Sequence, residues 1–117
     1  MSKIRAVQIF LEDILESIKK INKYTHGISY NEFLQDEKTQ DAVVRNLEII
    51  GEAVKNIPND FKEKHLGINW KLIVGMRNKL IHRYFGVSQL IVWETIKTDI
   101  SELKPKIEEI LEEIKVK

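Results

Sequence analysis

The sequence predicts an all-α protein, an antiparallel bundle of four to five helices, on three observations. Apolar residues recur three and four apart rather than alternating, as one face of a helix requires. Glycine and proline, which punctuate turns, number only five and two in 117 residues, too few for a loop-rich fold. Residues that cap helices stand just ahead of the apolar runs. The length suits a single domain over 1–117 with a modest core.

Ile4, Val7, Leu11, Ile14, Leu15, Ile18 and Ile21 mark one face of a first helix of about six turns. Thr25-His26-Gly27 ends it, with Gly27 free to adopt the left-handed conformation of a helix stop. Ser29 and Glu32 have the spacing of a capping box opening a short turn. A long helix is expected over Glu37–Asn56, with Val43, Leu47, Ile50, Val54 and Ile57 inward and Pro58-Asn59-Asp60 closing it. Gly51 sits inside that helix, where glycine costs about 1 kcal/mol relative to alanine, and a close helix crossing would explain it.

Phe61–His65 suits one helical turn. Asn69 is positioned to cap a helix from Trp70, carrying Leu72, Ile73, Met76 and Leu80 and ending near Phe85-Gly86. Ser88 can cap the next, with Leu90, Ile91, Trp93 and Ile96 apolar. Pro105 breaks or kinks the chain inside that helix, but is tolerated in a first turn if Ser101 caps a new one. Leu103, Ile107, Ile110, Leu111 and Ile114 make the tail a final amphipathic helix.

Hydrophobic content of 43% with 32% charged residues describes a folded soluble chain. The absence of cysteine excludes disulfides, thiolate metal sites and a cysteine nucleophile, and fits a reducing cytosol. No apolar run approaches the ~18 residues of a membrane span, and Met1-Ser2-Lys3-Ile4-Arg5 leads into a charged amphipathic segment, so the expected location is cytoplasmic. A net charge of +1 does not speak for or against nucleic acid, but its distribution is uneven. From His65 to Trp93 there is no Asp or Glu, whereas Lys71, Arg77, Lys79 and Arg83 all fall there. Such a stretch can form a phosphate-attracting patch. It can equally be a buried central segment poor in every charge.

Within it stands Met76-Arg77-Asn78-Lys79-Leu80-Ile81-His82-Arg83-Tyr84-Phe85-Gly86. A neutral imidazole can take the proton of a ribose 2′-hydroxyl, and an imidazolium can return one to a leaving oxygen. A planar, permanently charged guanidinium can clamp the phosphate. Asn78, one turn before His82, can orient the ring or bond a phosphate oxygen. No second histidine or paired carboxylate stands at ligand spacing near His82, so neither metal nor cofactor is expected. On a straight helix Arg77 and His82 point about 140° apart, so either the helix distorts near Ile81 or a second subunit helps complete the site. By spacing alone, an Arg and a His five apart are more often structural or surface residues, and Tyr84 beside Phe85 is more often a core anchor.

The run Arg77–Val87, with Lys38-Thr39-Gln40-Asp41-Ala42 and Arg45-Asn46-Leu47-Glu48-Ile49-Ile50-Gly51-Glu52-Ala53 upstream, closely resembles the HepT-like branch of the HEPN superfamily. Similarity continues through Trp70, Gly75-Met76 and Val92-Trp93-Glu94-Thr95. Arg77-x4-His82-x-Tyr84 matches that branch's motif throughout, while Arg83 stands where a smaller residue is common. The resemblance implies a HEPN-like helical bundle pairing as a homodimer, with both Arg-His motifs facing one cleft. It also implies a metal-independent endoribonuclease acting on transfer or messenger RNA, with no DNA or membrane partner, as the toxin of a type VII-like toxin–antitoxin system. The implied antitoxin is a minimal nucleotidyltransferase of the MntA type that transfers AMP to the motif tyrosine, here Tyr84. An anionic adenylate there would compete with RNA phosphate for the charges of Arg77 and His82.

Arg45, Glu48 and Glu52 share one stripe of the second long helix. A solvated face with weak intrahelical ion pairs is the ordinary reading, and the sharper one has Glu48 or Glu52 holding Arg77 across the cleft. His26 and His65 read as exposed loop residues, Trp70 and Trp93 as core packing, and Glu108, Glu109, Glu112 and Glu113 as a solvated face. Two rivals to the ribonuclease remain. One is a non-enzymatic helical module that binds a nucleotide or the nucleotidyltransferase; the other is a dimeric scaffold in which Arg77 and His82 are structural.

Overall fold

A computed structural model describes residues 3–81 and 88–116, with Ile81 and Val116 described by backbone alone. The first helix, α1 (Lys3–Thr25), buries Val7, Leu11, Ile14, Ile18 and Ile21 completely on one stripe. Ile4, expected on that stripe, lies in the opening turn and is half exposed. At the far end the Thr25 hydroxyl donates to the Ile21 carbonyl at 2.8 Å. Gly27 then turns the chain at φ +75°, a left-handed value that favours glycine.

The single-turn α2 (Tyr30–Leu34) begins with the expected capping box. Glu32 N–H donates to the Ser29 hydroxyl at 3.1 Å, and Ser29 N–H donates to the Glu32 carboxylate at 3.0 Å. Next, α3 (Glu37–Asn56) has the predicted bounds and buries Val43, Leu47, Ile50 and Val54, with Ile57 buried just beyond it. Its cap is Asp36, whose carboxylate accepts from the Thr39 hydroxyl at 2.6 Å and from Thr39 N–H at 3.0 Å. Those bonds favour the ionised form and hold the Asp36 pKa below the ordinary carboxylate value.

The second single turn, α4 (Asn59–Glu63), starts two residues before the Phe61 expected from sequence, because Pro58 supplies the extended residue that precedes a helix. Asp60 in this turn pairs with Lys3 of α1 at 2.5 Å. In α5 (Trp70–Ile81), Asn69 caps as expected, its side-chain oxygen accepting from Leu72 N–H at 3.1 Å. The Trp70 indole donates to the His65 carbonyl at 3.0 Å. Of the apolar residues this helix carries, Leu72 is half exposed, whereas Ile73 and Leu80 are buried.

Then come α6 (Gln89–Lys97) and α7 (Asp99–Val116). Ser88 precedes α6, but its side chain makes no capping bond. Of its apolar residues Leu90 and Ile91 are exposed, whereas Val92 and Ile96 are buried. Pro105 lies inside α7, which has already begun at Asp99. Ser101 is therefore not a cap, and its hydroxyl donates to the Ile96 carbonyl at 3.2 Å. Lacking an N–H, Pro105 leaves one helical hydrogen bond unmade.

One apolar core links these elements: α1 packs against α3 and α7, α3 also packs against α5, and α6 packs against α7. Between α3 and α6 lies α2, where Phe33 meets the Trp93 ring at 5.1 Å, and Lys97 sits over that indole at 4.5 Å. The described residues are all-α, with five longer helices, two single turns and no strand. None of these helices is long and apolar enough to cross a membrane. The central position of α3, between α1 and α5, sets where the motif's arginine lies.

Candidate functional site around Arg77

Arg77 stands in the next-to-last turn of α5 and lies against Gly51 of α3. A Cβ at residue 51 would fall 2.1 Å from Arg77 Cβ and 2.6 Å from its Cγ, distances that real atoms do not adopt. The absence of a side chain at Gly51 therefore lets α5 settle onto α3 with the arginine stem in the notch. This is the close crossing that the mid-helix glycine pointed to.

Beyond the notch, Arg77 Nη2 pairs with Glu52 Oε2 at 2.6 Å. Nη1 donates to the Asn78 side-chain oxygen at 3.0 Å. The Nε atom is buried and makes no hydrogen bond among the described residues. The Arg77 side chain is 18% exposed and that of Glu52 51%, so the pair runs from a shielded cation to a half-solvated carboxylate. Nη1 keeps a second N–H beyond its bond to Asn78, and a guanidinium uses N–H donors of this kind to grip a phosphate.

These groups line a groove of about 440 Å³ between α1, α3 and α5, with Asp13, Arg45, Glu48 and Asn56 around it. Glu48 is partly buried in its wall, and Arg45 is exposed. Neither Arg45 nor Glu48 makes an ion pair or side-chain hydrogen bond among the described residues, so Glu52 alone of that stripe is bonded to Arg77. Asn78 is exposed and lines a different groove of about 860 Å³ with Lys62, Asn69, Lys71 and Gly75. It touches Arg77 rather than opening into the same groove. Burial lowers the pKa of Lys62. A third, mainly apolar groove of about 370 Å³ lies on the remaining side of α5, where Leu72, Met76 and Leu80 face Ile91 and Val92 of α6.

His82 and Tyr84, the other two motif residues, and Arg83 between them lie outside the described residues. His26 is exposed as expected. His65 is partly buried with its ring 4.5 Å from that of Phe61, which corrects the expectation of a fully exposed loop histidine. Trp70 packs in the core. Glu109, Glu112 and Glu113 are exposed on α7, while Glu108 is partly buried and paired with Lys104 at 3.4 Å. Among the described residues no group of His, Asp and Glu side chains is arranged to hold a metal ion. Sequence reasoning gave no role to Asp13 or Asn56, because periodicity places residues on a face without saying which neighbouring helix meets it.

Comparison with known proteins gives a consistent result. Residues 14–110 match the family model described as "Ribonuclease HepT-like". The chain is 53% identical over 106 residues to a protein of Thermococcus cleftensis named "Probable ribonuclease HepT", covering 91% of this chain and 96% of that one. It is 50% identical over 106 residues to a protein named as a putative RNase in Caldanaerobacter subterraneus subsp. tengcongensis, covering 91% and 95%. A third, also named as a putative RNase, from Methanocaldococcus jannaschii, is 49% identical over 113 residues, covering 97% and 93%. No solved structure matches the chain. With both the family model and these full-length relatives in agreement, the chain belongs to the ribonuclease HepT-like family.

Proposed function

We propose that the protein is a metal-independent endoribonuclease, the toxin of a toxin–antitoxin pair, with Arg77 and His82 at its catalytic centre. The supporting observation is the state of Arg77: a guanidinium fixed by Glu52 and Asn78 at the wall of an open groove, with a donor to spare. His82 follows five residues later in an intact Arg77-x4-His82-x-Tyr84 motif.

In the reaction His82 takes the proton of a ribose 2′-hydroxyl, and that oxygen attacks the adjacent phosphorus. The bond from phosphorus to the 5′-oxygen breaks, and an imidazolium returns a proton to the leaving oxygen. Products are a 2′,3′-cyclic phosphate and a 5′-hydroxyl. Arg77 binds the phosphate and stabilises the charge that grows on it. Acid and base come from His82 of two copies across a homodimer. In support, α5 and α6 expose Leu72, Leu90 and Ile91, and Lys71 and Lys79 of α5, Glu94 of α6 and Asp99 of α7 are exposed as well. A two-fold arrangement would set these opposite charges against each other.

The antitoxin is a nucleotidyltransferase of the MntA type. The Tyr84 phenol oxygen attacks the α-phosphorus of ATP and pyrophosphate leaves, with the phenol proton passing to solvent. The adenylate then occupies the phosphate site beside Arg77 and His82. The protein acts in the cytoplasm on transfer or messenger RNA.

Cleavage of transfer RNA and total RNA in excess EDTA, by wild type and His82→Ala, tests this reading. Cleavage by the wild type alone is expected. Equal cleavage by both would overturn the assignment of His82. If neither cleaves, and mass spectrometry finds no adenylate on Tyr84, the chain is a binding module and not a nuclease.

A further inference from the structure

Glu52 is the only carboxylate bonded to Arg77 among the described residues, and it follows directly on the glycine that receives the arginine stem. We propose that Gly51-Glu52 is a positioning device for Arg77: Gly51 admits the stem and Glu52 fixes the rotation of the guanidinium that meets the scissile phosphate. The proposal rests on the ribonuclease reading for its purpose, but its geometry stands independently of that reading.

An arginine side chain has many rotamers, and the notch constrains only the part nearest the backbone. Cβ and Cγ of Arg77 are trapped against Gly51, and Nε is buried. Those contacts leave the final torsions, and with them the two terminal nitrogens, to be set by polar partners. Two are present. Asn78 Oδ1 accepts a hydrogen bond from Nη1 at 3.0 Å, and Glu52 Oε2 forms an ion pair with Nη2 at 2.6 Å. Asn78 is the next residue on the same helix, so it moves with Arg77 and cannot set the arginine relative to anything else. Glu52 belongs to α3 and can.

The arrangement differs from an ordinary surface ion pair. Glu52 is half exposed, so the pair is screened by solvent and adds little to folding. Its geometric effect is larger, because a misplacement of about 1 Å in a catalytic group can lower a rate by about a hundredfold. Glu52 is thus a positioning residue and not a catalytic one. A carboxylate that merely masked Arg77 from substrate would have the opposite effect on removal, so the sign of the change separates the two.

The test uses the whole 117-residue chain, comparing wild type, Glu52→Gln and Glu52→Ala by steady-state cleavage of a fluorogenic RNA in EDTA. In parallel, the Arg77 Nε–H signal is followed by ¹H–¹⁵N NMR and assigned through Arg77→Lys. With Glu52→Ala, kcat is expected to fall by roughly 10- to 100-fold with little change in KM. The Arg77 signal should move toward that of free arginine, and Tm should stay within about 3 °C of wild type. Glu52→Gln, which keeps an acceptor oxygen, should retain most of the signal position and lose less of the rate. Unchanged or increased kcat in Glu52→Ala overturns the proposal, and so does an Arg77 signal that does not move. If wild type itself fails to cleave RNA, the ribonuclease reading falls, while the Arg77 signal still decides whether Glu52 holds the arginine.

Discussion

Two glycines stand inside long helices, Gly51 in α3 and Gly75 in α5, and their surroundings are opposite. At Gly51 an added Cβ would collide with Arg77 at 2.1 Å; at Gly75 it would meet nothing within 4 Å. Each gives up about 1 kcal/mol of helix propensity relative to alanine. Gly51 has its reason inside the chain, since the tight α3–α5 crossing seats the motif arginine. Gly75 has none among the described residues, and it lies beside a face where Leu72 and Ile91 are half or more exposed. The first region is a closed polar junction, and the second is an apolar seam left exposed among the described residues. The lesson is that one helix carries both, with the arginine on its packed side and unpartnered surface on another.

Substitutions sharpen this contrast, beginning with the largest expected effect. Arg77→Ala should lower RNA cleavage by about 10²–10³-fold, the usual scale for losing a donor to transition-state charge. Retained cleavage would remove the closed junction from the chemistry. Gly51→Ala should destabilise by about 1–3 kcal/mol, measured by urea unfolding, because the overlap with Arg77 outweighs the gain in helix propensity. Gly75→Ala should have the opposite sign under dilute, monomeric conditions, stabilising by up to about 1 kcal/mol. If the seam is a dimer contact, the same change should weaken the dimer in sedimentation experiments. Destabilisation of both variants as monomers would break the comparison.

A smaller effect concerns pH. The Asp36 carboxylate caps α3, which carries the junction, and its bonds to Thr39 keep its folded pKa below the ordinary value of 3.8. The cap's contribution is therefore complete above that ordinary value and is lost as pH falls through the lowered one. Between pH 5 and pH 3, at intervals of about half a unit, Tm of wild type should fall more steeply than Tm of Asp36→Ala. Parallel curves would remove the cap from the account. The smallest effect is expected at Glu48, partly buried in the groove wall but without a bonded partner among the described residues. Glu48→Ala should change stability by no more than about 0.5 kcal/mol by urea unfolding and cleavage far less than Glu52→Ala does.

Local features of the sequence were the most legible. The bounds of α3, the Ser29–Glu32 capping box and the Asn69 cap all follow from interactions within a few residues of each other. Asp36 carries the same kind of local signal, an acceptor three residues before Thr39. What periodicity could not convey was which neighbour a face meets. Leu72, Leu90 and Ile91 have core spacing yet are exposed, because an apolar stripe looks the same whether it faces the chain's own core or another surface. The choice of Glu52 over Glu48 had the same origin: both lie on one stripe, and only the height at which α5 crosses α3 selects between them. Pro105 left two readings open because a proline in a helix and a proline in a first turn share the same local sequence.

The most direct test of the account is the end-group chemistry of RNA cut by the EDTA-treated wild-type protein. The account predicts a 2′,3′-cyclic phosphate and a 5′-hydroxyl, because His82 activates the neighbouring 2′-hydroxyl while Arg77 holds the phosphate. Ends bearing a 3′-hydroxyl and a 5′-phosphate would require attack by water and would contradict it.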